Sequence, residues 1–303
     1  DCMSLLVTGS IGIDTVEAPS GSVKDALGGS SVYFAYAASF FSPVRLVGVV
    51  GEDCPAGFLK PLEDKDQIDM GGLEVRQGSK TFRWHGRYHE DVNSRDTLEV
   101  DLNVLAEVGP TIPGNFTDSE YVFLANTHPD LQMELLGQLG EPKLVVADTM
   151  DLWIQTQHDS LLKLLSRIDG LVLNDAEACM LTEKKNIVAA GIAGARLVKK
   201  FVIVQKGEHG SILFVDGKVL PMPGFPAAQV VDPTGAGDSF AGAMMGYLAA
   251  EDRVDVDALK WAIAYGTVTA SFEIEDFSLN RFLQLSRTEI DARTNEYRQN
   301  LSF

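Results

Sequence analysis

The chemistry of this 303-residue chain concentrates in one stretch, Val231-Asp232-Pro233-Thr234-Gly235-Ala236-Gly237-Asp238-Ser239-Phe240. Gly235 and Gly237 let the backbone turn its N–H groups toward one point with no Cβ in the way. The apolar segment from Phe240 to Ala250 has the length and pattern of a helix, and a helix N-terminus adds partial positive charge at that point. Such a turn receives an anion, and phosphate is the natural one. Asp238 stands at the mouth of the helix, where a carboxylate acts either as an N-terminal cap or as a general base beside a bound phosphate. The decapeptide alone leaves both roles open.

The other candidate residues sit at the ends of short apolar runs. Leu5 to Gly9 reads as a buried strand whose continuation presents Asp14, and an acidic side chain at that edge accepts hydrogen bonds from neighbouring hydroxyls or merely closes a turn. Gly28-Gly29 allows close backbone approach ahead of a buried helix from Val32 to Phe41 that includes Tyr33. Tyr121 to Ala125, Lys143 to Ala147, Gly170 to Leu173 and Phe201 to Val204 read as further strands separated by helix-length segments. That rhythm predicts an α/β fold with a mostly parallel central sheet and helices on both faces. Asn126 and Asp148-Thr149 follow two strand ends and are cleft candidates. Asn174-Asp175-Ala176-Glu177 has the spacing of a capping box, or of an amide and carboxylate that suit hard Mg²⁺. Lys206-Gly207-Glu208-His209-Gly210 is a glycine-punctuated turn after a strand. Val256 to Phe272 and Leu279 to Asn300 close the chain as two helices.

Between Ile68 and Val104 the rhythm breaks. Phe82, Trp84 and Tyr88 alternate with Arg83, His85, Arg87 and His89, and Leu98, Val100, Leu102 and Val104 alternate likewise, so these are strands of a small sheet with one dry face. The expected lid spans about 68–104, with 15–27 as a further contributor. His85 and His89 stand four apart, but on a strand and without a third ligand they are not a metal site.

These segments resemble the PfkB, or ribokinase-like, family of small-molecule kinases, whose C-terminal signature is Asp-x-x-Gly-Ala-Gly-Asp at the head of a helix, here extended by Gly242 and Ala243. The resemblance covers nearly the whole chain, with three motifs in order. It implies a three-layer α/β kinase with an inserted β-lid that closes over the substrate and often pairs with a second subunit, so the aromatic row either covers the substrate or forms the seam of a homodimer through the lid. It implies that Asp238 is the catalytic base, that Gly235, Ala236 and Gly237 form the anion hole with Thr234 beside them, and that Asp14, Gly28 and Gly29 bind the substrate. Tyr33 occupies a place where the family often has Asn, and with Asn126 it completes the expected substrate contacts. Asn174, Glu177, Lys206, Gly207 and Gly210 are expected at the ATP phosphates, with Glu177 reaching Mg²⁺ through water and a monovalent cation such as K⁺ as a further cofactor.

The implied reaction is transfer of the ATP γ-phosphate to a hydroxymethyl group of a ribose- or hexose-like sugar. A nucleoside is the alternative, with the lid aromatics as a base wall, and the lid arginines Arg83 and Arg87 leave room for a phosphorylated sugar. A sugar-binding protein without chemistry is a further alternative that intact Asp238, Asn174 and Glu177 argue against. No P-loop run is present. A net charge of −18 argues against nucleic acid as a partner. Hydrophobic residues at 45% and charged ones at 22%, with no apolar run of spanning length, argue against membrane partners. Cys2, Cys54 and Cys179 lie far apart, which fits idle thiols in a reducing cytoplasm.

Overall fold

The computed structural model describes residues 4–92 and 94–302. The strands are β1 (Leu5–Thr8), β2 (Gly12–Ala18), β3 (Gly21–Gly28), β4 (Val44–Gly51), β5 (Ile68–Arg76), β6 (Phe82–Tyr88), β7 (Arg95–Asp101), β8 (Tyr121–Leu124), β9 (Leu144–Asp148), β10 (Gly170–Asn174), β11 (Phe201–Gln205), β12 (Ser211–Val215) and β13 (Lys218–Met222). The helices are α1 (Ser30–Ala38), α2 (Lys60–Glu63), α3 (Pro129–Gly137), α4 (Asp151–Thr156), α5 (His158–Leu165), α6 (Asp175–Thr182), α7 (Ile187–Gly194), α8 (Ala236–Glu251), α9 (Val256–Glu273) and α10 (Arg287–Asn300).

Nine strands form the central sheet in the order β13-β12-β11-β10-β9-β8-β1-β4-β5, parallel from β5 to β11 and antiparallel through the last hairpin. Both faces are covered, so its strands are apolar at nearly every position, and alternate residues serve two separate cores. Leu5, Val7, Tyr121 and Phe123 pack with α1, α8 and α9, whereas Leu6, Val122 and Leu124 pack with α3, α5 and α6. Full burial of each such side chain contributes roughly 1.5–3 kcal/mol.

β3-β2-β6-β7 form a second, four-stranded sheet, the lid. The expected lid boundary is corrected at its start. Ile68–Arg76 pairs in parallel with β4 as the edge of the central sheet, because the alternation of a short apolar segment does not say which sheet receives it. The dry face expected for Leu98 and Val100 is also corrected, since they are 42% and 49% exposed. A bulge sets His85 opposite Glu99 and Gly86 opposite Thr97, which leaves Leu98 without a partner on β6. The last helix starts at Arg287 rather than Leu279, because Ser286 and Glu289 form a capping box there. Cys54 and Cys179 are half-buried free thiols, and Cys2 lies outside the described residues. Among the described residues no helix is long and apolar enough to cross a membrane.

Candidate active site

Strand order reverses at β1, which has β4 on one side and β8 on the other. A crevice opens at the carboxyl ends of strands at such a point. The Asp232–Asp238 turn forms one wall of it. The Asp232 carboxylate accepts a hydrogen bond from the Thr234 N–H at 2.9 Å, and Ala236 N–H donates to the Pro233 carbonyl at 3.2 Å. Gly235 follows at φ +87°, and α8 begins with Ala236, placing Asp238 in its first turn. A Cβ on Gly235 would lie 2.4 Å from the ring of Tyr33, which is 2% exposed and has nowhere to move. Gly235→Ala therefore combines left-handed strain with a clash, and a loss of about 2–4 kcal/mol in folding stability is expected in denaturant titrations. A change below about 0.5 kcal/mol, within the range of neutral surface substitutions, would remove this account of the turn.

Asp14 forms the opposite wall. It lies on β2, is 4% exposed, accepts a hydrogen bond from the Gly29 N–H, and has no partner for Oδ1 among the described residues. A Cβ on Gly28 would lie 1.9 Å from Asp14 Oδ2, so glycine there leaves room for the carboxylate. Register places Phe82 beside Gly12 and Trp84 beside Asp14, which puts the aromatic row and Asp14 on one face of the lid. The same face meets the anion turn, since the Tyr88 hydroxyl lies 3.2 Å from Thr234 Oγ1 and Ser20 Oγ donates to the Val231 carbonyl at 2.5 Å. The other face is charged. There Glu17 bonds His85 and Arg87 at 3.0 and 2.7 Å, and Arg83 lies 3.4 Å from both Asp25 and Asp53. His89 Nε2 lies 3.0 Å from Asp96 Oδ2.

On the third side, Asn174 and Glu177 form the capping box, each N–H donating 2.8 Å to the other's side chain. Asp148 ends β9 near Glu177 and Asp238, with its Oδ1 buried and unpartnered among the described residues. Lys206 N–H donates to the Gly210 carbonyl at 2.7 Å, closing the turn that holds Gly207. Gln205, just before it, lies against the anion turn, 3.3 Å from where a Cβ on Gly237 would sit.

Comparison with known proteins agrees with this geometry. Residues 133–283 match the model of the pfkB family carbohydrate kinases. The chain is 31% identical over 258 residues to a cytidine kinase of Thermococcus kodakarensis, covering 83% of this chain and 89% of the relative. The chain belongs to the PfkB family. As a PfkB protein it is a phosphotransferase acting on a hydroxyl group, a sugar or nucleoside kinase. A Burkholderia thailandensis nucleoside kinase in complex with inosine superimposes with a TM-score of 0.80 at 18% identity, over 97% of this chain and 98% of that one. An Arabidopsis thaliana ribokinase complexed with ribose and ATP superimposes with a TM-score of 0.76 at 19% identity, over 97% and 99%. These two likenesses show the fold.

The PfkB cleft is strongly acidic, and its carboxyls resist ionisation. Burial raises Asp14 to about 7, helped by the charges of Asp232 and Asp238 and opposed by the Gly29 N–H. Burial likewise raises Asp238 to about 7, opposed first by the charge of Arg95. Glu177 is raised to about 7 by burial, against its bond from the Asn174 N–H. Asp148 and Glu273 are both pushed well above the usual carboxylate range by burial and by Asp238, among other charges. Mutually close, desolvated acids of this kind cluster where protons and cations are handled.

Two expected substrate residues are not free in the cleft. Tyr33 is buried beneath Gly235, close to Asp14, Glu273 and Asp232. Asn126 accepts a 2.9 Å bond from Trp153 Nε1 and donates to the Met150 sulfur at 3.1 Å, so both ends of its amide are engaged. The sequence singles out neither Arg95 nor Gln205, and it offers Asp148 as a cleft candidate without a role. Position at a strand's carboxyl end was the available signal for Asp148 and Gln205.

Proposed function

We propose that the chain phosphorylates the hydroxymethyl group of a ribonucleoside with ATP. The observation that carries this reading is the placement of Phe82, Trp84 and Tyr88 on the lid face that holds Asp14, where a base would stack while Asp14 receives the ribose hydroxyls. The sequence alone put free sugars ahead of nucleosides. The shared face is what favours the nucleoside in this reading, and relatives named cytidine kinase and nucleoside kinase support it.

In this reading Asp14, held by the Gly29 N–H, orients the ribose, and the lid excludes water by closing onto the anion turn. Asp238 accepts the hydroxyl proton as the oxygen attacks. The N–H groups at the head of α8, Gly237 among them, stabilise the charge on the transferring group. Hard carboxylate oxygens at Glu177 and Asp148, one of them buried and unpartnered among the described residues, fit Mg²⁺, which would be held there largely through water. When bound, it neutralises phosphate charge. Asp232, whose Oδ2 is buried and unpartnered among the described residues, fits a monovalent cation behind the anion turn.

The test is ATP consumption with Mg²⁺ against free sugars, sugar phosphates and nucleosides, repeated with Trp84→Ala. Nucleosides are expected to turn over best. Loss of the stacking face, worth about 1–3 kcal/mol per base, is expected to raise the nucleoside KM roughly 5- to 150-fold while leaving the KM for ribose nearly unchanged. Preference for a free sugar, with no effect of Trp84→Ala, would overturn the nucleoside reading.

A further inference from the structure

The two walls of the cleft belong to different parts of the chain. Asp14 lies on β2 in the lid, whereas the anion turn and Asp238 stand at the head of α8, which packs on the central sheet. Besides the Tyr88 and Ser20 contacts of the lid, one buried cluster joins them. The chain passes from β1 to β2 through Gly9-Ser10-Ile11 and returns from β3 to α1 through Gly29. Where these crossings meet, Ser10 N–H donates to Ser30 Oγ at 3.1 Å, Ser30 N–H donates to Ser10 Oγ at 2.9 Å, and the two hydroxyls lie 3.1 Å apart. The Ser10 carbonyl accepts from the N–H and the hydroxyl of Ser31 at 3.1 and 2.8 Å. None of these serines is more than 8% exposed.

This clasp is the cap of α1. Gly29, just before the helix, has no side chain to offer, so the first N–H groups of α1 are taken by Ser10, twenty residues earlier. Gly29 is held between the two serines. A Cβ on it would lie 2.5 Å from the Ser10 carbonyl oxygen, and its own N–H binds the Asp14 carboxylate. From its capped end α1 reaches the anion turn with little slack. All nine of its residues are buried, and it meets α8 backbone to backbone. A Cβ on Gly242 would lie 2.3 Å from the Phe34 carbonyl oxygen, one on Gly246 would lie 2.8 Å from that of Ala38, and Tyr33 fills the space under Gly235. Interiors packed this closely transmit a displacement rather than absorb it.

We propose that Ser10 and Ser30 are positioning residues, whose clasp holds α1 so that the carboxylate receiving the acceptor and the turn receiving phosphate stay in register, and so that occupancy of one is felt at the other. The inference rests on the kinase reading. Neither serine touches the reacting atoms. Loss of the Ser30 hydroxyl leaves the Ser10 N–H buried without its partner, and the crossing must shift to satisfy it. That shift moves Gly29 and Asp14 on one side and the head of α1, with Tyr33, on the other. A misplacement of about 1 Å caused far from the chemistry costs on the order of 100-fold in rate.

The experiment measures kcat, nucleoside KM, melting temperature, and ADP affinity with and without saturating nucleoside, for the wild type, Ser30→Ala, Ser30→Cys and Ser119→Ala. Ser119 is the control. It is 2% exposed, its hydroxyl donates to the Phe116 carbonyl at 2.7 Å, and it precedes β8 at the amino end of the sheet, away from the cleft. In the wild type, bound nucleoside is expected to change ADP affinity by a factor of roughly 5–150, the usual range of coupling between sites. Ser30→Ala is expected to lower kcat about 10- to 100-fold and to bring that factor to within about twofold of one. ADP alone is expected to bind within about threefold of wild type, a change no larger than a lost surface contact produces. The Ser30→Cys thiol keeps the shape and is a weak donor and acceptor, so an intermediate result is expected. Ser119→Ala is expected to lower the melting temperature and leave kcat and the coupling factor unchanged. An unchanged factor in Ser30→Ala, a wild type whose ADP affinity ignores the nucleoside, or an equal loss of coupling in Ser119→Ala would overturn the proposal. Should Ser30→Ala not fold, Ser30→Cys carries the same comparison. A wild type that turned over no alcohol would overturn the kinase reading instead, while the binding measurements would still decide on the clasp.

Discussion

Asp238→Asn is expected to lower kcat by about 10²–10⁴ while leaving ADP affinity within a few-fold, because the amide keeps the shape of the site and cannot take the hydroxyl proton. The pH dependence carries the sharper test. Burial lifts Asp238 to about 7, so in the wild type the base is largely protonated below that pH and active above it. kcat/KM is therefore expected to rise with pH through about 7 and then level off. Asp14 and Glu177 are also shifted to about 7, and the proposed reaction needs both of them ionised as well as Asp238, so more than one proton must leave and the acidic limb is steeper than one ionisation. Asp238→Asn is expected to make that limb shallower. An Asn variant with near-normal turnover, or with an unchanged limb, would remove Asp238 as the base.

Asp14→Asn is expected to make the protein more stable and a poorer enzyme. The native carboxyl is raised from 3.8 to about 7, so the folded state holds a proton that the unfolded chain releases, and stability falls as pH rises from about 4 to about 7. That rise from 3.8 to about 7 corresponds to an upper bound on the order of 4 kcal/mol above pH 7. The neutral amide escapes that penalty. The stabilising effect should therefore be small near pH 4 and full by pH 8, read as a difference in melting temperature between the two conditions. Substrate affinity should move the other way, because hydrogen bonds to a charged acceptor contribute about 1.5–3 kcal/mol, or roughly 10- to 150-fold in KM. Equal stabilisation at both pH values would sink the burial argument, and an unchanged KM would sink the substrate role.

The same residues show what can be read along a chain. The anion turn and the Asn174–Glu177 box are both local, whereas the Gly28-Gly29 step is needed by Asp14 and Ser10, farther back in the chain. The geometry of the first two is set by residues within a few positions of one another, through glycine conformation and side-chain bonds to nearby N–H groups. Family membership and the alternation of strands and helices follow from such segments in order. The lid is legible only in part. Alternation separates Phe82, Trp84 and Tyr88 from Arg83 and Arg87, but not which set faces the cleft.

That choice was made by tertiary structure. Parallel pairing of β6 with β2 puts Trp84 beside Asp14, and the bulge at Gly86 leaves Arg95 opposite Tyr88 while pairing takes Ile68–Arg76 into the other sheet. Tyr33, expected at the substrate, is driven under Gly235 by the packing of α1 against α8, and Asn126 is claimed by Trp153 from α4. The unusual acidity of the cleft is equally non-local. Asp14 and Asp238 are distant in sequence, and each is perturbed only because folding removes both from water and sets their charges close together. Sequence determines which groups carry the chemistry and the short turns that aim them; desolvation, charge proximity and the inward face of a strand depend on partners far along the chain, and only the fold supplies those.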